Sequence, residues 1–406
     1  MADVKIFAKT IEQEAIDQIN ILAAQASFVN EKIRIMPDCH AGKGCTVGFT
    51  STYTDKVIPF LCGVDLSCGM AVYELGKVDI NLQILDEIIN NWFNLELGQA
   101  HAEPQAVFNF SQLRMYKYLN NEDYLIHSLG TVGNGNHFIE LNKDDNGNIY
   151  LVIHSGSRNL GLQVANYYQQ LAILNVHKQQ NNLNEIKQNL IKEYKEQGRQ
   201  KEIQQALRQL NEEYSNFEYD IPNDLCYLEG QDLQDYLHDI QICAAYAHLN
   251  RSTIASIIIE EYYKKTGVYL TPLLYWETLH NYINITHKII RKGAIAAYQG
   301  EKVLIPLNMR DGSIIAVGKG NEDWNCSAPH GAGRLMSRSK AKEILNMEDY
   351  NKSMEGIYTT SIVESTIDEA PMAYKPSEEI IELVKDTVDI IKIIKPIYNF
   401  KVKGNL

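Results

Sequence analysis

Acids, thiols and imidazoles in this chain gather in short stretches rich in glycine and asparagine. The first, Met36-Pro37-Asp38-Cys39-His40-Ala41-Gly42-Lys43-Gly44, sets a carboxylate, a thiol and an imidazole just before a Gly-rich turn. The next, Gly63-Val64-Asp65-Leu66-Ser67-Cys68-Gly69-Met70, has Asp65 and Cys68 between glycines, a spacing that lets a tight turn aim a carboxylate and a thiolate at one point. Three histidines share this kind of setting: His137 in Gly133-Asn134-Gly135-Asn136-His137-Phe138-Ile139-Glu140, His154 in Val152-Ile153-His154-Ser155-Gly156-Ser157-Arg158, and His280 in Leu279-His280-Asn281-Tyr282. A lone histidine is more often a hydrogen-bonded structural imidazole than a ligand. Five candidate donors in turn-like contexts shift that balance toward metal binding. Asp65, Cys68, His137, His154 and His280 exceed what one tetrahedral ion with an open position needs, so two ions sharing Cys68 are expected. Thiolate and imidazole alone suit zinc, whereas the carboxylate and a phosphate substrate also admit manganese. After His154, the Ser155 and Ser157 hydroxyls and the Arg158 guanidinium are placed to face an anion.

A different chemistry is suggested by Pro329-His330-Gly331-Ala332-Gly333-Arg334-Leu335-Met336-Ser337-Arg338. The backbone N–H groups of Gly331, Ala332 and Gly333 can approach phosphate oxygens without side-chain clash. A neutral imidazole held beside a nucleotide phosphate is a competent nucleophile toward phosphorus. Gly-Ala-Gly by itself is more often only a tight turn.

Such groups need strands and turns to aim them. With 406 residues, 45% of them hydrophobic, the chain can bury a large core. Strands are expected over Lys32–Met36, Val47–Thr52, Met70–Leu75, Val152–His154, Ile289–Ile295, Val303–Pro306, Ile314–Val317 and Ile391–Val402. Apolar residues at helical spacing predict helices over Ile11–Gln25, Leu160–Gln180 and Asp232–Lys265. A polar, charged stretch from Asn182 to Asn216 predicts an exposed helix or helical hairpin. The fold class expected is α+β: one catalytic domain of mixed sheets over residues 1–406, with a helical insertion at about 160–267. No apolar run is long enough to span a bilayer and the first residues lack the layout of a secretion signal, so no membrane partner and a cytoplasmic location are expected. Seven cysteines in so large a chain read as reduced thiols. The net charge of −13 excludes a protein that grips nucleic acid with its whole surface. Any RNA-binding surface must be local, and Arg291, Lys292, Arg310, Arg334, Arg338, Lys340 and Lys342 are the candidates.

Taken together, Met36–Gly44, Gly63–Met70, Gly133–Glu140, His154–Arg158, His280–Tyr282, Arg291–Ala294, His330–Arg338 and Ala370–Lys375 resemble the signatures of the RtcB family of RNA ligases. They stand in that family's order from about residue 31 onward. The resemblance implies a GTP-dependent ligase that joins RNA 3′-phosphate or 2′,3′-cyclic-phosphate ends to 5′-hydroxyl ends, in RNA repair or tRNA splicing. It implies that Asp65, Cys68, His137, His154 and His280 hold two Mn²⁺ ions and that His330 accepts GMP, with Asp38 orienting the imidazole. Asn136 would contact the nucleotide phosphates, Glu140 and Tyr374 the guanine, and Lys403 would complete the pocket. One segment departs from the pattern: where the family commonly has Gly-Ser-Met-Gly after Ile-Pro, this chain has Leu307-Asn308-Met309-Arg310-Asp311-Gly312. A two-metal phosphoesterase opening RNA cyclic phosphates without ligation would need the same five donors but not His330-Gly331-Ala332-Gly333.

Overall fold

The computed structural model of the chain describes residues 2–95, 99–213 and 221–403. Its strands are β1 (Asp3–Ile6), β2 (Lys32–His40), β3 (Val47–Thr52), β4 (Lys56–Val57), β5 (Gly69–Gly76), β6 (Phe138–Lys143), β7 (Ile149–Ser155) and β8 (Leu228–Glu229). These are followed by β9 (Leu274–Leu279), β10 (Asn281–Asn284), β11 (Ile289–Lys292), β12 (Ala294–Ala296), β13 (Lys302–Asn308), β14 (Gly312–Gly318), β15 (Ser327–Pro329) and β16 (Val388–Phe400). The main helices are α1 (Gln13–Ala23), α2 (Leu82–Phe93), α3 (Glu122–His127), α4 (Arg158–Glu196), α5 (Ile203–Glu213) and α6 (Gly230–Thr266). Mixed sheets and helices in one chain make the α+β class expected from the sequence.

A seven-stranded antiparallel sheet in the order β13-β14-β16-β6-β7-β5-β9 forms the centre. Its two edge strands approach each other, the Leu304 N–H donating to Thr278 Oγ1 at 3.2 Å, so the sheet curls toward closure. Period-two alternation sorts its side chains: Ala71, Tyr73 and Leu75 of β5 point to the layer packed by α2 and α6, whereas Met70 and Val72 meet Phe138, Val152, Leu304 and Ile394 on the opposite face. Each large side chain buried this way contributes about 1.5–3 kcal/mol. A second sheet, β1-β2-β3-β11-β10, is parallel only at β1–β2, and packs with α1, α4 and the first half of α6 around the largest core.

Two expectations need revision. Strand β2 runs past Met36 to His40, so Asp38 and His40 extend the expected strand up to the Gly-rich turn. Ile289–Ile295 is not one strand, because Gly293 (φ +60°) breaks it into β11 and β12, and a Cβ there would lie 2.1 Å from Val47 Cγ1. The broken-off β12 pairs with β15, which carries the chain to His330. The helical block at 160–267 packs on the body through Leu160 and Val164 of α4 and Ile254 and Ile258 of α6, all core residues. The expected hairpin arm is the outer half of α4 with α5, and residues 214–216 of that expectation lie outside the described residues. No helix among the described residues is long and apolar enough to cross a membrane. All seven cysteines are free of disulfides.

Candidate active site

The sheet order β6-β7-β5-β9 places the ends of four strands side by side, and the candidate ligands stand at those ends. His137 precedes β6, His154 lies near the end of β7, Cys68 precedes β5 and His280 follows β9. Backbone pairing fixes the set, since Met70 is in register with His154 and the His280 N–H donates to Cys68 O at 3.0 Å. Asp65 reaches the same point through a turn in which Cys68 N–H donates to Asp65 O, with Ser67 in the left-handed region at φ +57°. Gly156 makes room for the Asp65 carboxylate: a Cβ there would lie 2.2 Å from Asp65 Oδ1.

The side chains converge on the Cys68 sulfur. His137 Nε2 is 3.2 Å and His154 Nε2 3.3 Å from Sγ. His137 Nε2 is also 3.2 Å from Asp65 Oδ2, and His154 Nε2 3.4 Å from His280 Nε2. Cys68 therefore stands between an Asp65–His137 pair and a His154–His280 pair. The outer ring nitrogens of two histidines face backbone carbonyls, His137 Nδ1 that of Val132 at 2.8 Å and His154 Nδ1 that of Asn136 at 3.1 Å. Protons held there leave both Nε2 lone pairs aimed inward, the tautomer a metal requires. Burial, then the neighbouring histidines, holds His154 well below the usual imidazole range. His280 is held low by burial, then by His330 and His137. Burial pushes the Cys68 thiol well up, Asp65 adds to that, and the Arg251 charge opposes it. Burial also raises Asp65, but the His137 hydrogen bond and charge, with Arg158, bring it out below the usual carboxylate value. Asp65 Oδ1 and His280 Nδ1 are buried without a hydrogen-bond partner. Donors so close, with His154 and His280 kept from protonation by burial and two buried donor atoms unpaired, fit a divalent cation better than they fit one another.

His330 comes from the opposite side, at the end of β15, and its ring centroid lies 4.8 Å from that of His280. Asp38, fully buried on β2, accepts from His330 Nδ1 at 2.6 Å and from the His330 backbone N–H at 3.1 Å. The ring's remaining nitrogen, Nε2, is thereby left with a lone pair. Gly333 (φ +74°) sits against the Asp38 carbonyl, where a Cβ would approach to 2.1 Å, so only glycine lets the loop close over β2. His330, Gly331, Ala332, Gly333, Asp65, Cys68, Asn136, Glu140, His154, His280 and Tyr374 all line one cavity of about 340 Å³.

At the far end of that cavity Glu140 is held by two amides, Asn399 Nδ2 at 2.6 Å and Asn142 Nδ2 at 3.2 Å, and burial pushes its carboxyl up to about 7. The Tyr374 hydroxyl donates to Glu369 Oε2 at 2.6 Å, and the Arg334 guanidinium lies 5.4 Å from the Tyr374 ring centre. Burial raises Glu369, but Lys401 and Arg338, joined by Tyr374 and Arg334, hold it down at about 2.

Lys403 does not line the cavity. The chain leaves the sheet after Phe400, and Lys403 Nζ reaches Asn90 Oδ1 on α2 at 3.1 Å. Lys401 does line the cavity, buried with Nζ 3.1 Å from Glu369 Oε2. Of the expected basic surface, Arg291 and Lys292 are taken up in the interior, whereas Arg310, Arg338, Lys340 and Lys342 remain exposed. Arg291 is fully buried against Ser327 Oγ and the Asn325 and Cys326 carbonyls, and Lys292 donates to Lys43 O and Cys45 O. Arg310 pairs with Asp311, and Arg334 and Arg338 pair with Asp368 or Glu369 while still lining the cavity. The Ser155 and Ser157 hydroxyls do not face an anion, because they donate to the backbone carbonyls of Thr131, Val132 and Leu66. Glu369, Asn142, Asn399 and Lys401 had no signal in the sequence beyond the position of Glu369 just before Ala370-Pro371. Of the departing segment, Leu307, Asn308 and Met309 line the cavity, while Asp311 is tied to Arg310, Asn308 and Ser377.

Fold and cavity define a protein with a metal-competent cluster beside a carboxylate-held imidazole and a glycine cradle, a layout suited to phosphate chemistry. Residues 19–103 and 90–402 match the family model described as tRNA-splicing ligase RtcB. The chain is 30% identical over 434 residues to the RNA-splicing ligase RtcB of Escherichia coli K12, covering 98% of this chain and 96% of that protein. It is 29% identical, with the same coverage, to RNA-splicing ligase RtcB1 of a second Escherichia coli strain. To the tRNA-splicing ligase RtcB of Nanoarchaeum equitans it is 24% identical, covering 96% and 93%. The chain belongs to the RtcB family.

Proposed function

We propose that this protein is a GTP-dependent RNA ligase that joins 3′-phosphate or 2′,3′-cyclic-phosphate ends to 5′-hydroxyl ends through a GMP–histidine intermediate at His330. The observation that carries the reading is the 2.6 Å contact of Asp38 with His330 Nδ1, in the same cavity as the Cys68 cluster. Asp65, Cys68 and His137 would hold one Mn²⁺ and Cys68, His154 and His280 a second, with Cys68 shared. When bound, the ions offset negative charge on the phosphates.

With its proton kept on Nδ1 by Asp38, His330 attacks the α-phosphorus of GTP through Nε2, and pyrophosphate leaves. The backbone N–H groups of Gly331, Ala332 and Gly333, with Asn136, orient the phosphates. Glu140 accepts from the guanine edge, and Tyr374, its hydroxyl engaged by Glu369, offers its ring for stacking. GMP then passes to an RNA 3′-phosphate, a terminal cyclic phosphate having first been opened by water. The 5′-hydroxyl of the second end attacks that activated phosphate and GMP departs. RNA ends, GTP and a cytoplasmic setting are thus the partners and location we assign, in RNA repair or in the tRNA splicing that relatives' names print.

The test offers the purified protein two RNA oligonucleotides, one ending in a 2′,3′-cyclic phosphate and one beginning with a 5′-hydroxyl, with Mn²⁺ and with or without GTP. Joined product only with GTP is expected. Opening of the cyclic phosphate without joining, unchanged by GTP, would overturn the ligase reading in favour of a phosphoesterase.

A further inference from the structure

Asn250 and Arg251 lie side by side in the middle of α6, both fully buried, and neither lines the cavity. A buried helix position ordinarily carries an apolar side chain, since a guanidinium or amide there must replace all the hydrogen bonds it had with water. Both side chains find such partners, and every partner lies on a segment that leads to a proposed metal ligand, Ser67 and Ser155 directly beside one. Arg251 donates from Nη1 to Ser67 O at 3.1 Å and to Ser155 O at 3.0 Å, the residues next to Cys68 and His154. Its Nε and Nη2 grip both oxygens of Glu277 at 2.9 Å, on the strand that leads to His280. Asn250 donates to Ser155 Oγ, Gly156 O and Thr131 O, and accepts from Gly130 N–H and Thr131 N–H. That Gly130–Thr131 corner opens the loop ending at His137, whose ring is tied to Val132 O.

Four ligand-bearing segments from distant parts of the chain thus meet on two neighbouring residues of one helix. We propose that Asn250 and Arg251 are positioning residues that set the spacing of Cys68, His137, His154 and His280, and so determine metal affinity and coordination geometry without touching the ion. The inference rests on the reading that this cluster binds divalent cations. A merely cohesive role would lower thermal stability and leave the folded protein's metal affinity where it was.

Full-length wild type, Arg251→Lys and Asn250→Leu are titrated with Co²⁺ without oxygen, following thiolate-to-cobalt absorption and the visible d–d bands, with Mn²⁺ as competitor. Circular dichroism and thermal melts of the metal-free proteins check folding. Lysine keeps the charge but cannot reach Glu277 and two carbonyls together. The folded variants are expected to bind Co²⁺ about 10- to 100-fold more weakly, with altered d–d intensity. Wild-type affinity and spectrum in folded Arg251→Lys would overturn the inference, whatever the change in melting temperature. If Asn250→Leu does not fold, Arg251→Lys carries the test. A wild type that binds neither Co²⁺ nor Mn²⁺ would instead overturn the metal reading itself, and the inference with it.

Discussion

Replacing Asp38 by asparagine keeps the side chain's size and removes its charge, at a residue that touches His330 and none of the cluster. Asp38 Oδ2 receives both the ring N–H and the backbone N–H of His330, at 2.6 and 3.1 Å. The ring bond strengthens as Nε2 attacks phosphorus and the imidazole becomes positive, so a neutral acceptor loses about 1–2 kcal/mol where the rate is decided. An amide that keeps its oxygen at this position puts its NH₂ where Asp38 Oδ1 has no partner. The flipped amide aims N–H at Nδ1 and favours the tautomer whose Nε2 carries the proton and cannot attack. Asp38→Asn is therefore expected to slow histidine guanylylation by at least roughly 5- to 30-fold. The assay follows radioactivity from α-labelled GTP onto denatured protein over time, with Mn²⁺ titrated in parallel. A rate within threefold of wild type would refute the positioning argument. So would an equal loss of metal binding, because it would place Asp38 in the cluster.

Three further outcomes follow from the geometry. Glu140 has its carboxyl pushed by burial from an ordinary 4.5 to about 7, so the folded state holds that proton more tightly than the unfolded chain. Its contribution to stability is full below about 4.5 and is lost as pH rises through about 7, while guanine binding by the ionised carboxylate improves over the same window. The apparent KM for GTP should fall as pH rises through 7, and Glu140→Gln should flatten that limb. Lys401→Met removes a buried cation from Glu369 and should raise the KM for GTP about tenfold, whereas Lys403→Met, whose lysine contacts Asn90, should leave it within twofold in steady-state kinetics. Cys68→Ser removes the sulfur on which both ligand pairs converge and should weaken Mn²⁺ binding by more than about 100-fold in calorimetry while the protein remains folded.

The cluster was legible because its members stand in short turn-like segments near glycine or asparagine, and turns at strand ends are where a sheet can collect side chains from distant parts of the chain. Their convergence could not be read from spacing, since it depends on the strand order β6-β7-β5-β9. The Asp38–His330 pair joins residues 292 positions apart, and only the family resemblance linked them beforehand. The strand Val47–Thr52, buried throughout its interior, was legible to its ends. Ile289–Ile295 was not, because the steric demand that makes Gly293 a break comes from Val47 on another strand. Part of the expected basic surface lies elsewhere for a related reason: Arg291 and Lys292 look like surface charge in the sequence, yet both are interior struts whose carbonyl partners are set by tertiary structure. Lys401 and Lys403 are indistinguishable by composition, and only the path of the chain after Phe400 separates them.

The central claim is tested most directly by incubating wild type and His330→Ala with Mn²⁺ and α-labelled GTP, denaturing both, and measuring retained label. The account predicts label on the wild type alone, stable to hydroxide and released by acid as a phosphoramidate is. No label on the wild type with metal bound, or equal label on both proteins, would contradict it.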